Sequence, residues 1–253
     1  MAKIARIIVR GIRLTLAAAV LAWPTVGQAQ NVSPAAPDAS ARSAPAASSL
    51  PAAQPQRSNF LGEVASKDAR RVADWVAVSG DNAALPFIII DKIRAKVFVF
   101  DRTGRLRGAS LALLGTARGD DTVPGIGSRK LSAIRPEERT TPAGRFVAAL
   151  GHDLQRDILW IDYNASVSLH RVITGNPNDH RLQRLATTSP FDKRITYGCV
   201  NVPVKFYESV VLETFTGTGG IVYILPETKT IEDVFAMSGG AAPAVGGGMP
   251  GNR

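Results

Sequence analysis

The stretch Phe87-Ile-Ile-Ile-Asp-Lys-Ile-Arg-Ala-Lys-Val-Phe-Val-Phe100 decides the fold class. Two β-branched and aromatic runs, Phe87 to Ile90 and Lys96 to Phe100, flank a polar Asp-Lys-Ile-Arg turn, which is the pattern of a β-hairpin. Downstream, Asp101-Arg-Thr-Gly104 has turn chemistry and Leu106 to Leu114 resumes extended structure. Gly115 to Arg139 is rich in glycine, proline and charge and reads as a long loop. Further strands are expected over Gly144 to Ala148, Ile158 to Ile161, Val167 to Val172 and Gly220 to Leu225. Helices are few. Ser66 to Val78 places Ala69, Val72, Ala73 and Val76 at helical spacing behind a Ser66 N-cap. Asp179 to Ala186 is expected to be helical with Leu182 and Leu185 facing in, and Lys205 to Phe215 forms a second helix. Many short strands with few helices predict a mainly β domain, a sandwich or a barrel.

Outside that unit the composition changes. The chain has 253 residues, 45% hydrophobic and 20% charged, so one ordinary domain with tails fits the length. Lys3, Arg6, Arg10 and Arg13 precede an apolar run from Leu14 to Val26, too short to span a bilayer as a helix. With small residues at Gly27 and Ala29, this is the pattern of an export signal over residues 1–29, so the expected location is the periplasm. An uncleaved anchor is the alternative. Residues 30–57, rich in Ala, Pro and Ser, read as a flexible linker, and residues 238–253 as a disordered tail. The folded unit is then 58–237, with its core over 86–226. Membrane contact is expected only through the signal, and the domain is expected to be a monomer.

Charge and cysteine count exclude several function classes. The formal charge is +9, and removal of the four signal cations leaves +5. A basic chain could bind nucleic acid, but no such motif occurs, and attraction to an anionic cell wall is the simpler expectation. One cysteine excludes a disulfide-stapled scaffold, and three scattered histidines give no metal site. No metal and no organic cofactor is implied.

That cysteine lies in Arg194-Ile-Thr-Tyr-Gly-Cys-Val-Asn-Val-Pro203. A free thiol in an oxidising compartment is either a reactive group or a cross-link, although a lone cysteine can also be a small buried hydrophobe. Gly198 lets the backbone approach a ligand closely, so amides near Cys199 could face a developing oxyanion. A thiol nucleophile needs a base. His170 ends the alternating run Val167-Ser-Leu-His, where a strand delivers a side chain to the rim of a sheet. His180 sits in the polar turn Asn176-Pro-Asn-Asp-His, and His152 on a hairpin end reads as solvated.

The run Thr196-Tyr-Gly-Cys-Val-Asn201 resembles the active-site signature of the L,D-transpeptidases (YkuD-type). That signature is a histidine, a spacer of about 14 to 17 residues, then Ser/Thr-His-Gly-Cys, a hydrophobic residue and Asn or Arg. Leu113-Leu-Gly-Thr116 resembles the family's glycine turn, and Thr140-Thr-Pro-Ala-Gly-Arg-Phe146 its Thr-Pro-x-Gly turn. With the hairpin at Phe87 to Phe100, the resemblance covers about Pro86 to Leu225. It implies a YkuD-like β-sandwich or barrel and thiol acyl transfer on peptidoglycan stem peptides. Cys199 would attack the diaminopimelate carbonyl, release D-Ala and pass the acyl group to an amine, giving a 3→3 cross-link. It also implies acylation by carbapenem-type inhibitors. The resemblance leaves two further readings: hydrolysis with water as acceptor, or a wall-binding module without catalysis.

The sequence departs from the family pattern in three places. Tyr197 stands where the family usually has histidine. The histidine spacer is ambiguous: 15 residues separate His180 from Thr196, and 25 separate His170 from it. Following an apolar strand, His170 is the preferred base and His180 the alternative, with residues 174–194 as an insertion over the cleft. Arg171 stands where many members carry Gly or Ser, so a backbone carbonyl would have to orient the imidazole. Gly198, Tyr197, Thr196 and Asn201 are expected to form the nucleophile's loop and oxyanion site. Arg171 and Arg194 are candidates for substrate carboxylates, and Arg181, Arg184 and Lys193 are either a substrate-facing cluster or a solvated face.

Overall fold

The computed structural model describes residues 57–153 and 156–237. The expected export signal, nearly all of the linker and the tail from residue 238 lie outside these. The hairpin that opens the domain is β1 (Phe87–Asp91) and β2 (Lys96–Phe100), antiparallel with Phe87 opposite Phe100. It continues into β3 (Leu106–Leu111) and, after Leu113, the short β4 (Leu114–Gly115). Then come β5 (Gly144–Asp153), β6 (Arg156–Asp162) and β7 (Val167–Arg171), all antiparallel neighbours. Two short strands bracket the cysteine, β8 (Arg194–Thr196) and β9 (Val200–Val202), and β10 (Gly220–Ile224) is last.

Eight strands form one mixed sheet in the order β3-β2-β1-β10-β5-β6-β7-β9, with β4 and β8 paired separately in parallel. Two of the sheet's pairings are parallel, β1 with β10 and β7 with β9. The sheet curls into a nearly closed barrel, so Val97 and Val99 of β2 share one core with Val200 and Val202 of β9. The helical segment 204–215, with a π-helical middle at Tyr207–Leu212, plugs this core with Tyr207, Val211 and Phe215. Gly108 makes room for it, because a Cβ there would lie 3.1 Å from Val210.

The opposite face of β1, β2 and β10 carries Phe87, Ile89, Phe98, Phe100 and Tyr223. It is covered by α1 (Lys67–Ser79) and by the helix Ile231–Phe235. Helix α1 buries Ala69, Val72, Ala73 and Val76, and Ser66 Oγ accepts from the Ala69 N–H. Because β1 is buried on both faces, its sequence is a continuous apolar run rather than an alternating one.

Residues 174–194 hold α2 (Arg181–Ala186) between two 3₁₀ turns. Leu185 is buried against Leu113 and Val172, anchoring this segment. Leu182 is 57% exposed, which corrects its expected inward orientation. Six helical residues present only one inward position at that crossing. The long loop 115–139 contains three 3₁₀ turns. It is pinned by a buried ion pair from Lys92 Nζ to Asp120 Oδ1 at 2.7 Å. The same ammonium donates to the Gly119 and Thr141 carbonyls, and Asp120 also accepts from the Glu227, Thr228 and Lys229 amides.

Candidate active site

Parallel pairing of β7 with β9 places His170 opposite Asn201 and Leu169 opposite Val200. Strand alternation then puts Ser168, His170, Asn201 and the approach to Cys199 on one face, the face away from the barrel core. The Ser168 hydroxyl donates to Cys199 Sγ at 3.6 Å, and the thiol is 3.5 Å from the Ser166 carbonyl. Burial pushes the Cys199 thiol up, but hydrogen bonding and charge from the His170 ring, with help from Ser168, bring it below its ordinary value. The thiol is partly exposed and opens into a cleft of about 80 Å³ beside Thr140, Tyr197, Ile126 and Arg129.

The imidazole is held at both nitrogens. His170 Nδ1 lies 2.7 Å from the Arg171 carbonyl, which fixes Nδ1 as the donor, and Nε2 lies 3.1 Å from Asn201 Nδ2. Nε2 therefore carries the ring's lone pair and accepts from the Asn201 amide. Asn201 is itself oriented, because its Oδ1 accepts from Arg181 at 2.9 Å, and Arg181 also pairs with Asp179 at 2.8 Å. Segment 174–194 thus reaches the imidazole through one amide.

The loop around Cys199 is shaped by hydroxyls. Thr196 Oγ1 donates to the Cys199 carbonyl at 2.7 Å and accepts from the Gly198 N–H at 3.1 Å. Thr141, fully buried, donates to the Gly198 carbonyl at 2.8 Å and accepts from the Gly115 N–H at 2.9 Å. Gly198 has φ +135°, and a Cβ there would lie 2.7 Å from the Thr140 carbonyl oxygen. At Gly115 the corresponding approach to the Arg139 carbonyl is 2.2 Å. The three turns noted in the sequence, at Gly115, Thr141 and Gly198, are interlocked pieces of one support. Among the described residues the Tyr197 and Cys199 N–H groups have no partner, whereas that of Gly198 is taken. Tyr197 is partly exposed and its ring lies 4.0 Å under the Arg139 guanidinium.

Other sequence candidates lie elsewhere. His180 is exposed at the start of α2 with φ +49° and is not among the groups acting on the thiol. His152 is exposed on the β5–β6 hairpin. Arg171 does not face the cleft: one residue beyond His170, it points to the opposite side of the strand. There it pairs with Asp157 and Glu208, both at 3.0 Å, over the Tyr207 ring. The expectation that it meets substrate carboxylates is corrected. Arg194 donates to Glu227 Oε2 at 2.6 Å and to the Lys92 carbonyl, at the edge of a separate cavity of about 380 Å³. Arg184 holds the Asp179 and Asp192 carbonyls, and buried Lys193 caps α2 through the Arg184 and Thr187 carbonyls. The donors of this basic cluster are taken up within the segment, except that Arg181 also reaches Asn201. Ser168 and Ser166 were not singled out from sequence. The only signal for Ser168 is its place two residues before His170 on an alternating strand.

No family model matches the sequence, and no curated protein does. Among solved structures the chain is similar to Pgp2, the helical cell shape determining protein from Campylobacter jejuni: 13% identity over 62% of this chain and 55% of that one, TM-score 0.39. It is similar to the catalytic domain of the Enterococcus faecium L,D-transpeptidase, at 17% identity over 55% of this chain and 96% of that one, TM-score 0.32. A third is the L,D-transpeptidase from Xylanimonas cellulosilytica, at 15% identity over 55% of this chain and 60% of that one, TM-score 0.33. The chain spans 58% of the Pgp2 K307A mutant, 49% of the Ldtfm–avibactam carbamoyl enzyme and 55% of Pgp2 itself. At these identities and scores the likeness by itself assigns neither a family nor an activity.

Proposed function

We propose that this protein is a cysteine acyltransferase acting on peptidoglycan stem peptides outside the cytoplasm. The observation that carries the reading is a partly exposed cysteine whose sulfur accepts from Ser168 on the strand that presents His170, with that ring's Nδ1 locked on a carbonyl. The signature Thr196-Tyr-Gly-Cys-Val-Asn201, with its interlocked support from Thr141 and Gly115, supplies the substrate class by resemblance.

In this reading Cys199 thiolate attacks the diaminopimelate carbonyl carbon, and the negative charge on oxygen is met by the free N–H groups of Cys199 and Tyr197. One such donor is worth about 2.7–4 kcal/mol in comparable sites. The C–N bond to D-Ala breaks as protonated His170 gives its Nε2 proton to the leaving amine, leaving a thioester. An acceptor amine then attacks the thioester, its proton passes to His170, and the thiolate is restored. Ser168 steadies the thiolate, and the Asn201 amide, which donates to the neutral ring at Nε2, turns away when that nitrogen takes up its proton.

The test is acylation of the purified protein by a carbapenem, followed by intact-mass spectrometry, with Cys199→Ala as control. An adduct of one drug mass on wild type and none on the variant is expected. Absence of an adduct, together with no thioester from tetrapeptide muropeptides, would sink the enzymatic reading and leave a wall-binding module. Product analysis on the muropeptides then separates acceptors: dimers mean transfer to an amine, tripeptides alone mean water.

A further inference from the structure

The face that carries Cys199 does not end at β7. Trp160 on β6 is paired directly with Ser168 on β7, and Ala149 on β5 is paired with Trp160, so all three side chains share that face. Directly opposite residues have Cβ atoms about 5 Å apart, which makes Trp160 the immediate neighbour of the serine that touches the thiol. Tyr163 folds back from the turn after β6 and stacks on the Trp160 ring, with centroids 4.8 Å apart and planes at 26°. Tyr163 is 66% exposed. Beneath the pair, Gly151 leaves the space the indole needs, since a Cβ there would lie 2.7 Å from the Trp160 ring. The helices that cover the same face over β1, β2 and β10 do not extend here.

We infer that the Trp160–Tyr163 pair is a sugar-stacking shelf that receives the glycan strand carrying the stem peptide. This rests on the acyltransferase reading and adds a recognition element to it. The size of the shelf favours a saccharide. Stacked on each other, the two rings offer no more than about the 150–250 Å² that one aromatic side chain buries. That is far below the roughly 800 Å² per partner of a stable protein interface, but it suits one pyranose ring. The strand floor alongside is Ala149 and Gly151, too small to supply an apolar protein contact, and flat enough for a ring to lie beside the indole.

Distance also fits. From the β9 edge at Cys199 to β6 is two strand spacings, about 10 Å. In the proposed substrate the reacting carbonyl belongs to the third stem residue. Three extended residues at about 3.3–3.6 Å each span the same 10 Å. A stem lying across β7 with its carbonyl at the thiol therefore brings its sugar to the shelf.

The experiment compares two substrates, the free tetrapeptide and the disaccharide-tetrapeptide, on wild type and Tyr163→Ala. Tyrosine 163 is mostly exposed, so this variant tests the surface without disturbing the core. Wild type is expected to favour the glycan-linked substrate by about tenfold in KM, roughly what one good aromatic contact supplies. Tyr163→Ala should bring the two substrates to within about twofold of each other. A preference that survives Tyr163→Ala, or equal handling of both substrates by wild type, overturns the shelf. In parallel, tryptophan fluorescence is titrated with the disaccharide lacking a peptide. Quenching in wild type but not in Tyr163→Ala, with neither tetrapeptide acylating Cys199, would sink the acyl-transfer reading while leaving the shelf in place. Concentration-dependent self-association that Tyr163→Ala abolishes would assign the face to a second copy of the chain and overturn the proposal.

Discussion

At the scale of single residues the proposed chemistry rests on the thiol and the imidazole. Burial alone would hold Cys199 protonated; the His170 ring, with Ser168, reverses that. The folded thiol therefore ionises at a lower pH than an unperturbed one, whose value is about 8.5. Iodoacetamide labelling against pH is expected to show its inflection below that value in wild type and to move up in His170→Ala. An unmoved inflection would mean that the imidazole does not act on the sulfur. Acylation should fall by about 10²–10⁴ in His170→Ala, as for loss of a general base. His180→Ala should leave it within about twofold, since that ring lies apart from the thiol. This pairing was named from sequence only by resemblance: the Thr-Tyr-Gly-Cys signature picked out Cys199, and the apolar strand before His170 made it the preferred base over His180. Ser168 was not legible as a contact, because only the parallel register of β7 on β9 shows which strand neighbours the cysteine. The orientation of Arg171 was misread for a related reason. Adjacent strand residues point to opposite faces, and the site residue His170 had already claimed the open one.

At the scale of elements, the nucleophile loop depends on close approaches that only glycine permits. Gly198→Ala would drive a methyl against the Thr140 carbonyl at a positive φ, a strain of about 1–3 kcal/mol. Thermal melting should show that loss, and labelling of Cys199 should change with it. The segment 174–194 acts on the site through Arg181, whose hydrogen bond sets which way the Asn201 amide faces. Arg181→Ala should slow acylation about fivefold, the equivalent of about 1 kcal/mol for one lost hydrogen bond, with little change in melting temperature. An unchanged rate would show that Asn201 needs no such hold. The sequence marked this segment as an insertion with a short helix but could not show its reach, since Arg181 and Asn201 are 20 positions apart. The hairpin, α1 and the helical segment from Lys205 to Phe215 were plain in the sequence because their periodicity is strong, whereas the five-residue helix Ile231–Phe235 was not expected. Strands β8 and β9 were not, being three residues each, below the length at which alternation can be seen.

The whole molecule is braced by the Lys92–Asp120 pair, buried at both ends. Removing the cation alone leaves a carboxylate without its counter-charge, so Lys92→Ala should cost about 3–5 kcal/mol, read by chemical denaturation. Burial works against the Asp120 carboxylate, but Lys92, Thr228 and backbone amides outweigh it and hold the group well below the usual carboxylate range. Its contribution is thus complete above the unfolded value near 3.9 and is lost as the pH falls through the depressed folded value. Unfolding free energy is expected to decline with acid below about pH 4 through this group. A flat profile there would show that the pair is not the brace. The sequence showed Lys92 only as part of a polar turn, because its partners come from three distant segments.

Those partners form a relay that runs the length of the domain. The amides of residues 227–229 satisfy Asp120, Asp120 holds Lys92, Lys92 grips the Thr141 carbonyl, and the Thr141 hydroxyl fastens the Gly198 carbonyl. A growing polypeptide that has not yet delivered residue 229 lacks the amides that complete this support. The surroundings of the sulfur are thus completed last, by the part of the domain that leaves the ribosome at the end.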